Sequence, residues 1–150
     1  MSLLIEIDRA SLSLADLVLS ADNDVNELGV TNYVEPAMQA RIRYAPSSDY
    51  VHGDVALAVA YQQSLLRFDV ITDQAATETE SRALLAVLKT ALRQRQFNVT
   101  VTVDDADPEV WACVAGSIAP AEGRTFADLR DHDPEWTVTI PCHPFATPGV

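Results

Sequence analysis

The chain has 150 residues, 48% of them hydrophobic and 21% charged, which is enough apolar material for one domain with its own core. Its 22 acidic residues outnumber 10 basic ones, for a formal net charge of −12, so a nucleic-acid backbone and an anionic lipid surface are both poor partners for it. The opening Met-Ser-Leu-Leu-Ile-Glu-Ile-Asp lacks the basic and apolar regions of a secretory leader, and no run approaches the roughly 18 apolar residues of a membrane span.

Leu3 to Asp8 alternates and reads as a short strand. Ser11 to Ser20 is apolar, with Leu12, Leu14, Leu17 and Leu19 fitting strand and helix about equally. Ala21 to Gly29 is polar and acidic, a loop. Met38, Ala40, Ile42 and Tyr44 alternate with Gln39, Arg41 and Arg43, the period of a half-buried strand, and Ala45-Pro46-Ser47-Ser48-Asp49 ends it as a turn. Val55 to Ile71 is either one long bent strand or a hairpin with Gln62-Gln63 at its crest. Neither Gln favours the positive φ of a two-residue hairpin, so one long strand with a bulge is the better reading.

A helix is predicted over 77–96. Thr77 and Glu80 have capping-box spacing, Glu78 and Arg82 are spaced for an ion pair, and Lys89, Arg93 and Arg95 crowd the negative end of the helix. Leu84, Leu85, Leu88, Ala91 and Leu92 form one apolar stripe, opposite a face carrying Arg82, Ala86, Lys89, Thr90 and Arg93. Phe97, Val99, Val101 and Val103 then alternate with polar residues as a strand. Asp104 to Pro108 is an acidic turn, and Val110 to Val114 is a strand carrying Trp111 and Cys113. Ser117 to Asp133 reads as a long polar connection, and Trp136 to Ile140 as the last strand. The sum is an α+β fold: a mostly antiparallel sandwich or split barrel with one flanking helix. It makes a single domain over 1–140, and the proline-rich 141–150 forms an extended arm.

Signals for chemistry are weak. Cys113 and Cys142 have no CxxC partner, which disfavours a disulfide framework or a zinc site and reads as two semi-buried thiols in strands. Cys142-His143 is not a nucleophile and base, because neighbours on a strand point to opposite faces. Asp22-Asn23-Asp24 opens like a calcium loop, but Glu27 stands where the turn needs Gly. Asp104, Asp105, Asp107 and Glu109, and likewise Asp128, Asp131, Asp133 and Glu135, read as charged turns rather than metal sites. No Gly-rich phosphate loop or G-x-S-x-G elbow is present. A non-enzymatic protein without metal or cofactor is the expectation. Interface candidates are Phe145, on the arm and short of its own domain to pack against, with Trp111 and Trp136 as possible anchors.

The stretch from Val55 through Val114 runs in a set layout. A strand with Leu65-Leu66-Arg67-Phe68-Asp69-Val70 precedes a helix with Ala83-Leu84-Leu85-Ala86-Val87-Leu88. Then come Phe97-Asn98-Val99-Thr100-Val101-Thr102-Val103 and Val110-Trp111-Ala112-Cys113. This layout, about 60 of the 150 residues, resembles minor tail proteins of tailed bacteriophages, particularly those of high-GC actinobacteria, and is similar to distal-tail and tail-tube proteins. Arginine supplies every basic residue except Lys89, in keeping with such a host. The resemblance implies a virion tail protein assembled in the host cytoplasm, with copies of itself in a ring and neighbouring tail or baseplate proteins as partners. It implies no catalytic residues. In such a ring Asp104, Asp105 and Asp107 are candidates for an acidic surface or lumen. The alternatives are a head-to-tail joining protein such as a tail terminator and, from another class, a small ligand-binding domain or enzyme.

Overall fold

In the computed structural model, residues 2–21, 28–45, 55–72, 78–121 and 135–148 are described. Their strands are β1 (Leu3–Ile7), β2 (Leu17–Ser20), β3 (Gly29–Val34), β4 (Ala40–Ala45), β5 (Val55–Tyr61), β6 (Ser64–Ile71), β7 (Gln96–Val103), β8 (Glu109–Val114), β9 (Ser117–Pro120), β10 (Glu135–Cys142) and β11 (Thr147–Pro148). One α-helix, α1 (Glu78–Leu92), lies between β6 and β7. The fold is α+β, mostly antiparallel, with a single α-helix among the described residues, as the sequence predicts, and one 3-10 turn at Ala10–Leu12.

Nine strands join in the order β11-β8-β7-β1-β2-β3-β6-β10-β9, and a further β8–β10 pairing curls this sheet back on itself as a barrel. Its ladders are unequal. β6 and β10 are paired over eight positions, from Ser64 opposite Cys142 to Ile71 opposite Glu135. By contrast β2 meets β3 in parallel at Ser20 and Gly29 alone, and β10 meets β8 at Cys142 and Cys113 alone. The barrel therefore has two thin seams.

Alternation explains the interior. β6 buries Leu66, Phe68 and Val70 and turns Leu65 and Arg67 outward. Ile5 and Ile7 of β1, Val99 of β7, and Val138 and Ile140 of β10 complete a water-free centre. Each such side chain contributes roughly 1.5–3 kcal/mol by leaving water. The helix stripe seats Leu88, Ala91 and Leu92 in the same core, while Arg82, Ala86, Lys89 and Thr90 face solvent.

Polar ties lock the helix to the barrel at both ends. Near its start, the buried hydroxyls of Ser81 and Thr72 share a hydrogen bond. Beyond its end, the Gln94 amide Nε2 donates to Asp8 O at 2.7 Å and Ala91 O at 2.9 Å, and its Oε1 accepts from Ser11 Oγ. Gly116 N–H donates to Leu92 O at 2.9 Å. A Cβ at Gly116 would stand 3.0 Å from Ile140 Cγ1 and 3.1 Å from Thr139 O, a tight fit that a side chain would enter only by pushing its neighbours aside.

The structure corrects several boundaries. The helix stops at Leu92 rather than 96, because Gln96 is needed to pair with Val114 and open β7. The expected long strand over 55–71 is two strands in different sheets: β5 pairs with β4, and β6 with β3 and β10. Nor do β5 and β6 form a hairpin; at Gln62-Gln63 the chain passes from one sheet to the other. β3 and β9 arise within stretches read as irregular or not assigned. β3 hides its pattern behind a bulge, with Asn32 at φ 52° and a register shift between Thr31 and Val34. The Asn32 amide donates to Asp69 Oδ2 at 2.9 Å and Thr137 Oγ1 donates to Asp69 Oδ1 at 2.7 Å, so one carboxylate braces three strands. β10 runs past Ile140 through Pro141 and Cys142, and part of the expected arm folds back as β11 on β8. The readings at 22–27, 46–54, Thr77 and 122–134 lie outside the described residues.

Candidate interaction surface

β4 and β5 form a two-stranded ribbon with no ladder to the barrel sheet among the described residues. Ala40 faces Tyr61, Arg41 faces Ala60 and Ile42 faces Val59. The sequence predicts a half-buried strand here, with Met38 and Ile42 on its inward side; in the structure Met38 is 60% exposed and Ile42 42%. A lone two-stranded ribbon is marginal in water, since it has no second layer to cover its apolar side chains. Its root is nonetheless fixed. Gln62 N–H donates to Gln39 O at 2.8 Å, and Ser64 Oγ donates to Ala37 O.

The C-terminal turn packs beside this root. After β10, His143 N–H donates to Ala112 O at 2.8 Å, and Phe145 N–H donates to His143 Nδ1 at 3.3 Å. This turn swings the Phe145 ring edge-on to Tyr61, with centroids 4.8 Å apart and planes at 74°. Phe145 was expected to lack anything of its own domain to pack on; it has Tyr61, because the chain turns back after Pro144 instead of running on as an arm. Both rings stay exposed, Phe145 at 43%. An open groove of about 650 Å³ runs between these rings and Phe97 and Val114, and Cys113 and Cys142 also line it. Exposed Leu65 and Val34 lie on the barrel's outer face, where β6 and β3 pair through Arg67 and Val34.

The other predicted residues fall elsewhere. Trp111 is 4% exposed and belongs to the core, so its ring is not offered to a partner. Trp136 is half-buried, with Lys89 Nζ 5.3 Å from its ring centroid, a cation–π arrangement on the helix side. Among the described residues, neither indole N–H has an acceptor. Asp104, Asp105 and Asp107 are exposed in the β7–β8 turn. Asp104, at φ 50°, is tied to the chain start: its Oδ1 accepts from Ser2 N–H at 2.7 Å and its own N–H donates to Ser2 O at 2.8 Å. Among the described residues no three metal-binding side chains converge.

The two thiols, distant in sequence, are opposite each other across the β8–β10 seam, and both are buried and free. Hydrogen bonding between them, ahead of burial, pushes the Cys113 thiol far above the ordinary cysteine value. The same contact pulls Cys142 below it, because the Cys113 S–H supports a thiolate on Cys142.

Sequence reasoning missed Met38, Ile42 and Tyr61 as surface residues. Their alternation was visible, but alternation identifies an apolar face without identifying what covers it. Phe145 was found for its place among prolines, which did mark an unusual segment.

No family model and no curated protein matches this chain. Solved structures do. A chain of the phage P2 baseplate in its activated conformation aligns at a TM-score of 0.61 and 11% identity, over 93% of this chain and 43% of that one. The Dit protein of phage SPP1, described as a paradigm of the hub adsorption apparatus in phages infecting Gram-positive hosts, aligns at 0.58 and 14% identity, over 94% of this chain and 49% of that one. The chain therefore spans less than half the length of either protein, and what it shares with them is the fold.

Proposed function

We propose that the chain is a structural component of a bacteriophage tail: a minor tail or distal-tail protein of a baseplate ring. In this reading its role is structural rather than catalytic, and it works through interfaces with copies of itself and with neighbouring tail proteins. The observation that carries the reading is the β4–β5 ribbon, which stands off a barrel of the baseplate-hub fold with Met38, Ile42 and Tyr61 exposed around its root. Ribbon edges with no ladder partner among the described residues offer backbone donors and acceptors to a neighbouring subunit's strand, and the apolar root offers surface to cover. Repetition of one such heterologous contact by a fixed rotation closes a ring.

The bias of arginine over lysine supports an actinobacterial host, and the virion tail is the corresponding location. On this reading the exposed turn with Asp104, Asp105 and Asp107 faces a lumen, where negative charge repels passing DNA rather than gripping it.

Light scattering of the purified chain, with negative-stain micrographs, tests the proposal. A closed ring with the mass of several copies is expected. A chain that stays monomeric at high concentration and joins no other tail protein would end the reading. Charge reversal at Asp104, Asp105 and Asp107 is expected to impair DNA passage or assembly in infection assays, and unchanged infectivity would remove the lumen from it.

A further inference from the structure

The seam that closes the barrel carries a chemical option that the proposed tail role does not use. Cys113 and Cys142 are the register pair joining β8 to β10. The hydrogen bond from His143 N–H to Ala112 O lies one residue beyond this pair, so Cys113 and Cys142 occupy a non-hydrogen-bonded position of the antiparallel ladder. Residues there sit about 4.5 Å apart at Cα with their side chains drawn together, inside the roughly 4.4–6.8 Å range that a disulfide spans. Cys113 and Cys142 border the open groove beside Phe145, but they are 4% and 1% exposed and belong to the core, so a small reagent reaches the thiols when the one-pair seam opens.

We propose that Cys113 and Cys142 are an oxidisable dithiol that closes to a disulfide across the barrel seam when the chain meets a small-molecule disulfide oxidant. The steps balance. The Cys142 thiolate attacks one sulfur of the oxidant RSSR, forming a Cys142–S–SR bond and releasing RS⁻. Cys113 then loses its proton to solvent and attacks Cys142 Sγ, releasing the second RS⁻. The two protons lost by the cysteines end on the two released thiols. In net terms the dithiol is oxidised by two electrons and RSSR is reduced to two RSH. Cys142 goes first because the neighbouring Cys113 S–H favours its thiolate. A chain made in a reducing compartment carries the dithiol, and transfer to an oxidising medium closes it.

The bond would staple the barrel where a single register pair now holds β8 to β10, and it would close a loop of roughly 30 residues. An upward shift in melting temperature of roughly 5–10 °C is expected, reversible by reductant.

The test treats the folded, reduced chain with excess 4,4′-dithiodipyridine. The expected result is release of two thiopyridone equivalents, an intact mass lower by two hydrogens with no adduct retained, and a peptide linking Cys113 to Cys142. Cys113→Ser and Cys142→Ser should each release one equivalent and keep the adduct, with Cys142→Ser reacting more slowly. Adducts persisting on both wild-type cysteines, cross-links between chains, or thiols that stay unreactive until denaturation would each overturn the proposal. The wild-type mass decides the matter even if a serine variant fails to fold.

Discussion

β6 and the β4–β5 ribbon are written in the same alternating code and end in opposite environments. In β6, paired with β3 and β10 on its two edges, Leu66, Phe68 and Val70 are fully buried in the same core as the helix stripe. Near the ribbon's root, Met38 and Ile42 carry an equally regular pattern into solvent. The difference is one of layers. β6 has a ladder on each edge and its inward side chains in the core, whereas among the described residues the ribbon has the single β4–β5 ladder. An apolar period therefore tells which side chains share a face, and the number of packed layers tells whether that face belongs to the fold or to a contact still to be made.

Four perturbations sharpen that contrast. Phe68→Ala removes a fully buried ring and is expected to lower the unfolding free energy by about 3–5 kcal/mol in a urea titration. A smaller loss, about 1–3 kcal/mol, is expected for Gly116→Ala, whose added methyl must displace Ile140 or the backbone at Thr139. It would show as a lowered melting temperature.

The third acts through pH. Burial, then the nearby charges of Glu35 and Glu109, push the Tyr33 hydroxyl above its ordinary value of 10. An unfolded chain thus ionises Tyr33 before the folded one does. The stabilisation is whole below pH 10 and drains away as pH rises from there toward the folded value. Urea midpoints measured on either side of pH 10 should fall in the wild type and fall less in Tyr33→Phe.

The smallest effect on folding belongs to the ribbon. Ile42→Ser is expected to change the stability of the isolated chain by no more than about 0.5 kcal/mol, because the side chain is already exposed. The same substitution should reduce assembly measured by light scattering. A large loss of monomer stability instead would mean that the ribbon packs as the barrel does.

The Leu84–Leu92 stripe, the β7 alternation and the β7–β8 turn were legible because each is specified locally: a period, a cap or a turn residue sets the backbone whatever lies nearby. Gln62-Gln63 shows where that stops. No local signal distinguishes a bulge from a change of sheet, since the choice depends on whether residues near 39 or near 140 lie alongside. β9 escaped notice for a related reason: Ser117–Pro120 is strand only because Trp136 to Thr139 pairs with it. Trp111 and Phe145 were both named as contact residues, and register separated them, sending one ring into the core and the other to the surface beside Tyr61.

By itself, the sequence determined an acidic α+β chain with one amphipathic helix and several alternating strands, because these follow from composition and from side-chain period. Tertiary structure alone decided that the strands close into a barrel, that the ribbon stands outside it, and that two cysteines about 30 residues apart meet at the closing seam. Those outcomes rest on which distant strand arrives as a partner, whereas a strand's own alternation decides only which of its faces turns inward once it is paired.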